Sequence, residues 1–387
     1  MIRISQGTRE ILNAPWSQFP AIAKISEDPD PVTYDAPYST YSIQHHGLVF
    51  SLSSPREQDA LFCLELLHRV VDVLQDYFRE ALSAAKIEAN YDVVALLLYE
   101  MIDDGMPVTT EPNALKDAVP QSNLLDKFMS TSTMPSAPSS IPWRRANVKH
   151  TNNEMYVDIE EMVNCIYSGD KCIVAQLHGR VKFKSKLSGM PDLLLVLSSP
   201  STLDLPALHP CVRTRKWLDN PGSLSFIPPD GRCILMSYQM SLPSPRLPIH
   251  ANLVITETGF SVQLSCQKVS AKIALDLLQL EIPLPETIRS VGEPSASSGL
   301  VHFRNGMLTW HFSKPPTLPS SAKLDVEVAS GSGVPPYVKV MFSTSGWLIS
   351  GCRVESLSVL RGLNDSVRPY KGVKYMTGSG EYIIRPQ

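Results

Sequence analysis

PWRR at residues 142–145 and TNNEMYVD at residues 151–158 mark the point at which this 387-residue chain changes character. Before them, residues 129–142 read MSTSTMPSAPSSIP, a polar, proline-interrupted run that buries too little surface to fold. After them, apolar residues recur at every second position over residues 173–183, the period of a half-buried antiparallel strand. The stretch therefore predicts a flexible linker at 129–142 and a second domain that begins at residue 143.

The second domain, residues 143–387, carries the turn signals of an all-β protein. They are PPDG at 228–231, NG at 305–306 and GSG at 331–333, and prolines interrupt the short apolar runs between them. Closely spaced turns between short strands are typical of an antiparallel sandwich. We therefore expect an all-β, immunoglobulin-like sandwich in this segment.

The first domain, residues 1–128, carries the helical pattern. Apolar residues recur at three- and four-residue steps along one face, at Leu61, Leu64, Leu67, Val71, Leu74 and Phe78. SPRE at 54–57 predicts the start of this helix, with Ser54 as its N-cap. A second helix is predicted from Tyr91 to Asp103, and one or two strands over 41–53, an order typical of a small α/β module.

The first 40 residues are less regular than the rest of this domain. Prolines, which disfavour strand pairing, occur there at Pro15, Pro20, Pro29, Pro31 and Pro37. We therefore expect the apolar opening strand to be missing and the first strands to be divergent or abbreviated.

Composition excludes several classes of protein. A net charge of -3 and a pI near 6.3 argue against a nucleic-acid binder. Seven cysteines without a CxxC pair predict free thiols in a reducing compartment and no structural zinc. No apolar run reaches the roughly 18 residues that span a bilayer, so any membrane association is expected to be peripheral. The spacing that would bring three metal ligands, or a nucleophile and a base, together is not found among His45, His46, Asp103, Asp104 and His209. We therefore expect neither an enzyme nor a cofactor.

Several short segments resemble the medium (mu) subunit family of clathrin-adaptor-type complexes. Besides the two stretches quoted first, they are LSGMPD at 187–192, HPCVR at 209–213 and SLSFIPPDG at 223–231. In the first domain, LLHRVVD at 66–72, YEMID at 99–103 and TTEPNAL at 109–115 are similar to the helical half of that family's longin-like domain. The GVKY ending at 372–375, with PWR at 142–144, resembles the mu subunit of adaptor complex 3 more than those of complexes 1 and 2.

The resemblance implies an α+β chain: a longin-like α/β domain at 1–128, then a mu homology domain, the immunoglobulin-like sandwich, at 143–387. It implies a heterotetramer with two large adaptin subunits and a small sigma subunit, peripheral on Golgi and endosomal membranes and their vesicles. Its cargo would be membrane-protein tails with YxxΦ signals, where Φ is a bulky apolar residue, carried to the lysosome or vacuole. Such tails bind as extended peptides along a sheet edge, with Tyr and Φ in separate pockets.

The tyrosine pocket is expected on the strand that follows the linker. Tyr156 and Asp158 are two residues apart, so on a strand they project from the same face. By resemblance, Tyr156 stacks on the cargo tyrosine and Asp158 accepts its hydroxyl, while Lys184 lays its aliphatic stem against the ring.

The end of the chain is expected to supply the opposite wall. By resemblance, Val373 lines the apolar pocket, and Gly372 and Lys374 stand where many members carry Trp and Arg. The missing Trp predicts weaker or more selective binding. A membrane-facing, phosphoinositide-binding surface is suggested by the basic residues Arg180, Lys182 and Lys186.

Three other interpretations remain open at this point. A Tyr-x-Asp pair on a strand is most often a solvated face, and a row of lysines is most often an ordinary charged surface. A structural subunit with a degenerate tyrosine pocket would fit Gly372. The delta-type coat subunit of retrograde vesicles shares the architecture but recognises different signals.

Overall fold

The computed structural model describes residues 2–7, 9–13, 29–35, 38–78, 81–103, 105–119, 141–145, 147–198, 203–243, 245–266, 274–312, 321–363 and 368–386. The chain divides into two compact units, Met1–Ala146 and Asn147–Gln387. Nearly all of the linker predicted at 129–142 lies outside the described residues. Among the described residues, no helix is long and apolar enough to cross a membrane.

The first unit contains a five-stranded antiparallel sheet with helices packed on it. The strands of this sheet are β1 (Ile2–Gln6), β2 (Arg9–Asn13), β3 (Val32–Asp35), β4 (Tyr38–His45) and β5 (Leu48–Ser54). A separate two-stranded sheet consists of β6 (Ile102–Asp103) and β7 (Met106–Pro107). The helices of this unit are α1 (Ala60–Phe78), α2 (Ala84–Ala89), α3 (Tyr91–Met101) and α4 (Pro112–Ala118). The sheet order is β2-β1-β5-β4-β3, and α1 packs on β4 and β5.

The expectation that the opening strand is missing is wrong. β1 pairs with β2 on one side and with β5 on the other, and Ile4 lies opposite Phe50. Ile2 and Ile4 point into the core with exposed fractions of 2% and 0%. The first proline is Pro15, beyond both β1 and β2, so no proline interrupts either strand.

The predicted start of α1 is also wrong, by several residues. Ser54 is the last residue of β5, and the helix begins at Ala60. The N-cap is Asp59, whose Oδ1 accepts the amides of Leu61 at 2.9 Å and Phe62 at 3.3 Å. Pairing of Ser54 within the sheet holds it in extended conformation, so the capping position moves to the next suitable side chain.

The second unit is built almost entirely of strands. They are β8 (Glu154–Ser168), β9 (Lys171–Lys186), β10 (Asp192–Leu197), β11 (Asp204–Leu208), β12 (Ser223–Phe226), β13 (Gly231–Ser241), β14 (Ile249–Ile255), β15 (Gly259–Cys266), β16 (Ala274–Pro283), β17 (Ile288–Val291), β18 (Ser295–Ala296), β19 (Leu300–Arg304), β20 (Met307–His311), β21 (Ser321–Gly331), β22 (Val338–Ser345), β23 (Val354–Arg361) and β24 (Tyr370–Arg385). One short helix, α5 (Thr214–Asp219), precedes β12.

A nine-stranded sheet is the main layer of this unit, in the order β11-β13-β9-β8-β24-β22-β16-β20-β19. A five-stranded sheet around β14-β15-β21 packs against it, and both contribute to a core that includes Trp310, Phe260 and Leu324. A three-stranded sheet, β12-β10-β23, meets the other end, where the rings of Phe183 and Phe226 are 5.2 Å apart. The predicted α/β unit followed by a β-sandwich is confirmed.

Candidate functional site

Three neighbouring strands, β9, β8 and β24, bring the predicted site residues together. β8 runs antiparallel to β9 and parallel to β24. In one row across the sheet, Tyr156 lies between Lys184 and Gly372. In the row two residues further along β8, Asp158 lies between Lys182 and Lys374.

The predicted residues are divided between the two faces of the sheet. Tyr156, Asp158, Lys184 and Lys374 share the solvent-facing side, because residues in register across a sheet project from the same face. Val373 is in register with Val157, which is fully buried on the opposite face. With 44% of its surface exposed, Val373 therefore lies at an accessible part of that second face.

The Tyr156 ring is held by contacts on three sides. It lies across Gly372, where a Cβ atom would be 2.6 Å from Tyr156 Cδ1. The Tyr370 ring is 5.6 Å away, and the Lys184 ammonium lies 5.4 Å from the ring centroid, within cation–π range. The hydroxyl donates to Glu154 Oε2 at 3.2 Å. Desolvation and the Glu154 carboxylate raise the pKa of Tyr156, which keeps its hydroxyl a donor.

An open depression of about 580 Å³ lies beside this ring. Its lining residues are Thr151, Asn152, Asn153, Glu154, Tyr156, Arg368 and Tyr370. Sequence reasoning missed Glu154, Arg368 and Tyr370. The two-residue period of a strand could have found two of them. Glu154 is two residues from Tyr156, and Tyr370 is two residues from Gly372, so each shares a face with a predicted position.

Hydrogen bonds fix the segment that precedes β8, part of which lines the depression. Ser188 accepts the His150 amide at 2.9 Å through its hydroxyl and donates its own amide to Asn153 Oδ1 at 2.7 Å. The Tyr370 amide donates to the Asn153 carbonyl at 2.9 Å. His150 Nε2 lies 2.8 Å from Asp230 Oδ1, in the PPDG turn. The LSGMPD and PPDG segments therefore position the site's border.

Asp158 is a half-buried carboxylate with no hydrogen bond or ion pair to any described residue. Its neighbour in register, Lys182, pairs instead with Glu160 at 2.6 Å. An ionised carboxylate accepts hydrogen bonds only. Asp158 is therefore available to a donor from outside the chain.

Acidic side chains on β8 offset the basic residues of β9. Lys182 pairs with Glu160, and Lys186 lies 3.7 Å from Glu154. Arg180 is in register with Glu160 and is exposed. The face is therefore a ladder of opposite charges rather than a uniformly basic surface.

The first part of β24 has a free edge. β22 pairs with β24 from Met376 onward, and residues 370–375 have β8 on their other side. No strand among the described residues pairs with 370–375 on the side away from β8. The Gly346 amide, which donates to the Tyr375 carbonyl at 2.9 Å, closes one end of this edge. Such an edge is open to strand addition.

The described residues hold no group of three His, Cys, Asp or Glu side chains arranged to bind a metal ion.

A free sheet edge that lies beside a face with aromatic and acidic side chains is typical of a peptide-binding module.

Comparison with known proteins identifies the class. The family model described as "Adaptor complexes medium subunit family" matches residues 141–386, and the chain belongs to that family. It is 33% identical to the AP-3 complex subunit mu-1 of Homo sapiens over 93% of this chain and 90% of that protein. It is 32% identical to the AP-1 complex subunit mu of Diplobatis ommata over 93% and 90%.

A structural comparison agrees at the level of the fold. The structure "Homology model of the full-length AP-3 complex in an intermediate open conformation" matches 99% of both chains, with a TM-score of 0.63 and 21% identity. The chain is therefore a medium subunit of the vesicle-adaptor class, and the predicted likeness to the adaptor complex 3 subunits is confirmed.

Proposed function

We propose that this chain reads YxxΦ sorting signals in membrane-protein tails, within a heterotetramer of two large adaptins, a small sigma subunit and itself. It acts without catalysis, at the surface of Golgi and endosomal membranes, on cargo bound for the lysosome or vacuole. We retain the division into a longin-like domain at 1–128, a linker at 129–142 and a mu homology domain at 143–387. The observation that carries the proposal is the free edge at residues 370–375 beside the face of Tyr156 and Asp158.

An extended tail added to this edge would pair with β24, and β24 would separate it from β8. Strands are about 4.8 Å apart, so a cargo tyrosine must cross β24 to reach the side chains of β8. Gly372 has no side chain of its own, and the Tyr156 ring lies across it, so a cargo tyrosine that crosses β24 here must displace that ring. The same sheet uses this arrangement internally: Tyr238 of β13 crosses Gly179 of β9 and donates to Glu161 of β8 at 2.7 Å. A phenol can therefore bond a carboxylate two strands away when glycine separates them.

The spacing of the signal matches the two faces of the sheet. In an extended peptide, residues three apart project from opposite faces. A cargo tyrosine on the face of Tyr156 therefore directs Φ to the other face, where Val373 is accessible. This division accounts for two separate pockets.

The chemistry of the first face suits an unmodified tyrosine. Asp158 accepts the phenol hydroxyl, a bond to a charged group that contributes about 1.5–3 kcal/mol. Lys374, in register with Asp158, places a cation on the same face of the sheet. A phosphate on the cargo tyrosine would bring two further negative charges against Asp158 and Glu154, and binding would fall.

Assembly with large subunits is supported by the first unit's surface. Apolar side chains are strongly exposed there, among them Leu61 at 78%, Val108 at 66% and Tyr99 at 58%. Permanent subunit interfaces are large and hydrophobic. Co-purification of beta- and delta-type large adaptins with the tagged chain supports the complex-3 assignment, whereas recovery of coatomer chains supports the delta-type coat subunit.

Titration of the full chain into a labelled YxxΦ peptide tests cargo recognition. We expect a Kd of roughly micromolar, near -8 kcal/mol, or weaker. Asp158→Ala should weaken binding by at least about tenfold, and replacement of the peptide tyrosine by Ala or phosphotyrosine should abolish it. Asp219→Ala, which removes an exposed carboxylate on α5, is the matched control and should leave affinity unchanged.

Equal affinity for all peptides and variants would contradict cargo recognition. The chain would then be a structural subunit whose tyrosine pocket is degenerate, as Gly372 in place of Trp would allow.

A further inference from the structure

The nine-stranded sheet of the second unit ends in two edge strands of different kinds. At one end, β11 is interrupted by Pro206, its register with β13 shifts between Asp204 and Ala207, and Leu205 has a φ of 46°. Prolines and irregular backbone keep an edge strand from pairing with another chain. At the other end, β19 pairs with β20 without a register shift and contains no proline or lysine. Among the described strands, none lies on the other side of β19.

The free edge of β19 also carries exposed apolar side chains. Leu300, His302 and Arg304 project from one face of the strand, and Val301 and Phe303 project from the other. Val301 packs in part against the core, whereas Leu300 is 56% exposed and Phe303 is 45% exposed. An unblunted apolar edge is a template for the addition of another strand.

The turn between β19 and β20 fixes which backbone groups of β19 face outward. The two residues of this turn, 305–306, have φ of 50° and 72°, as in a two-residue type I′ hairpin. Arg304 and Met307, which flank the turn, form a hydrogen-bonded pair, and bonded and non-bonded pairs alternate along an antiparallel ladder. The amides and carbonyls of Val301 and Phe303 therefore point away from β20, towards the free edge.

We propose that β19 is a self-association edge, at which two copies of this chain pair antiparallel with the two His302 residues opposite each other. In this register Val301 of each copy lies opposite Phe303 of the other, so apolar side chains meet. The outward amides and carbonyls also meet and form four backbone hydrogen bonds. Sliding the copies by two residues in either direction leaves only two of these bonds. The sequence of β19 is therefore complementary to itself in one register.

This association is expected to be weak in dilute solution. A five-residue strand buries far less than the roughly 800 Å² per partner of a stable complex. It gains strength where copies are held close together, because a high local concentration favours pairing. The inference does not rest on cargo recognition, since β22, β16 and β20 separate β19 from β24.

Cysteine cross-linking of full-chain variants tests the register. His302→Cys should form a disulfide-linked dimer when oxidised glutathione is added as the oxidant. The two Cα atoms of a non-hydrogen-bonded antiparallel pair are about 4.5 Å apart, within the range of about 4.4–6.8 Å that a disulfide spans. The unmodified chain gives the background, since its seven cysteines are all buried or half-buried.

Leu300→Cys and Arg304→Cys are the matched controls on the same face of β19. Each alone should remain at background, because its own position in the second copy is about 14 Å away along the strand. An equimolar mixture of the two variants should cross-link, because residue 300 of one copy lies opposite residue 304 of the other. Non-specific aggregation would not give this pattern, since it would link the exposed single variants as well.

A proline variant tests whether the contact is strand pairing. Phe303→Pro removes an outward amide without removing a bond to β20, so His302→Cys combined with Phe303→Pro should return cross-linking to background. A retained urea unfolding transition checks that this variant is folded. His302→Cys should cross-link at least about tenfold faster than Arg304→Cys. Equal rates for these two variants, or cross-linking that Phe303→Pro leaves unchanged, would overturn the proposal.

Discussion

Replacing Tyr238 by Phe removes a single hydroxyl from the interior of the second unit, and we predict a loss of about 2 kcal/mol in its free energy of unfolding. Glu161 is 3% exposed and accepts the Tyr238 hydroxyl at 2.7 Å and the Ser350 amide at 3.1 Å. The Ser350 hydroxyl bonds the same carboxylate. Burial and the Glu161 carboxylate raise the pKa of Tyr238, so the phenol remains a hydrogen-bond donor.

The magnitude follows from the donors that remain. A hydrogen bond to a charged group contributes about 1.5–3 kcal/mol, and a carboxylate left without donors costs more. Since Ser350 still donates to Glu161 in the variant, the loss should lie within that range and not above it. With a urea m-value of about 3 kcal/mol/M, the unfolding midpoint should fall by about 0.5–1 M.

Urea unfolding of the full chain, followed by tryptophan fluorescence, measures this shift. Three of the five tryptophans, Trp217, Trp310 and Trp347, belong to the second unit, so most of the signal reports on it. Tyr34→Phe is the matched control, because Tyr34 is exposed in the first unit. A midpoint for Tyr238→Phe within about 0.2 M of the unmodified chain would refute the reasoning.

The close packing of Tyr238 on Gly179 adds a second, independent check. A Cβ at Gly179 would lie 2.0 Å from Tyr238 Cζ, so Gly179→Ala must displace the ring and break its bond to Glu161. Overpacking of this kind typically costs 1–3 kcal/mol. Combining Gly179→Ala with Tyr238→Phe should therefore cost less than the sum of the single variants, because the hydrogen bond is lost only once. Strict additivity would contradict the geometry.

Two further predictions concern a helix cap and a buried thiol. Asp59→Ala should destabilise the first unit by about 1 kcal/mol in urea unfolding, whereas Ser54→Ala should cost less than about 0.5 kcal/mol; the reverse order would restore Ser54 as the cap. Burial, and then the neighbouring Cys172, raises the pKa of Cys165 from 9.0 to about 12. The folded chain therefore keeps a proton that the unfolded chain releases above pH 9, and stability falls as pH rises from 9 towards 12. Cys165→Ala should flatten that decline in urea midpoints measured between pH 8 and about 10; an unchanged slope would exclude this thiol as its source.

Local patterns in the sequence were sufficient to predict individual helices and strands. The alternation over residues 173–183 predicts most of β9. The structure buries Ala175, Leu177, Val181 and Phe183 as that period requires, whereas Ile173, near the start of the strand, is 56% exposed. The second helix was predicted from Tyr91 to Asp103 and ends at Met101. These features depend on neighbours along the chain, and strand and helix periods encode them directly.

Local patterns were misleading where distant residues compete. Ser54 stands at the N-cap position of an SPRE capping sequence, but its pairing with Ser39 keeps it in β5. Ile2 and Ile4 form too short an apolar pattern to predict a strand, yet β2 and β5 on either side complete it. Sheet pairing over long range decided both cases.

The sequence by itself determined the α/β and all-β halves of this protein, and the common face of Tyr156 and Asp158, because the period of a strand fixes which side chains share a face. Only the tertiary structure decided which strands are neighbours. The parallel pairing of β24 with β8 sets Gly372 beside Tyr156 and Lys374 beside Asp158, places Val373 on the other face, and leaves residues 370–375 with a free edge. Register between strands separated by some 200 residues is a property of the folded sheet, since it depends on packing and on hydrogen bonds that no local pattern specifies.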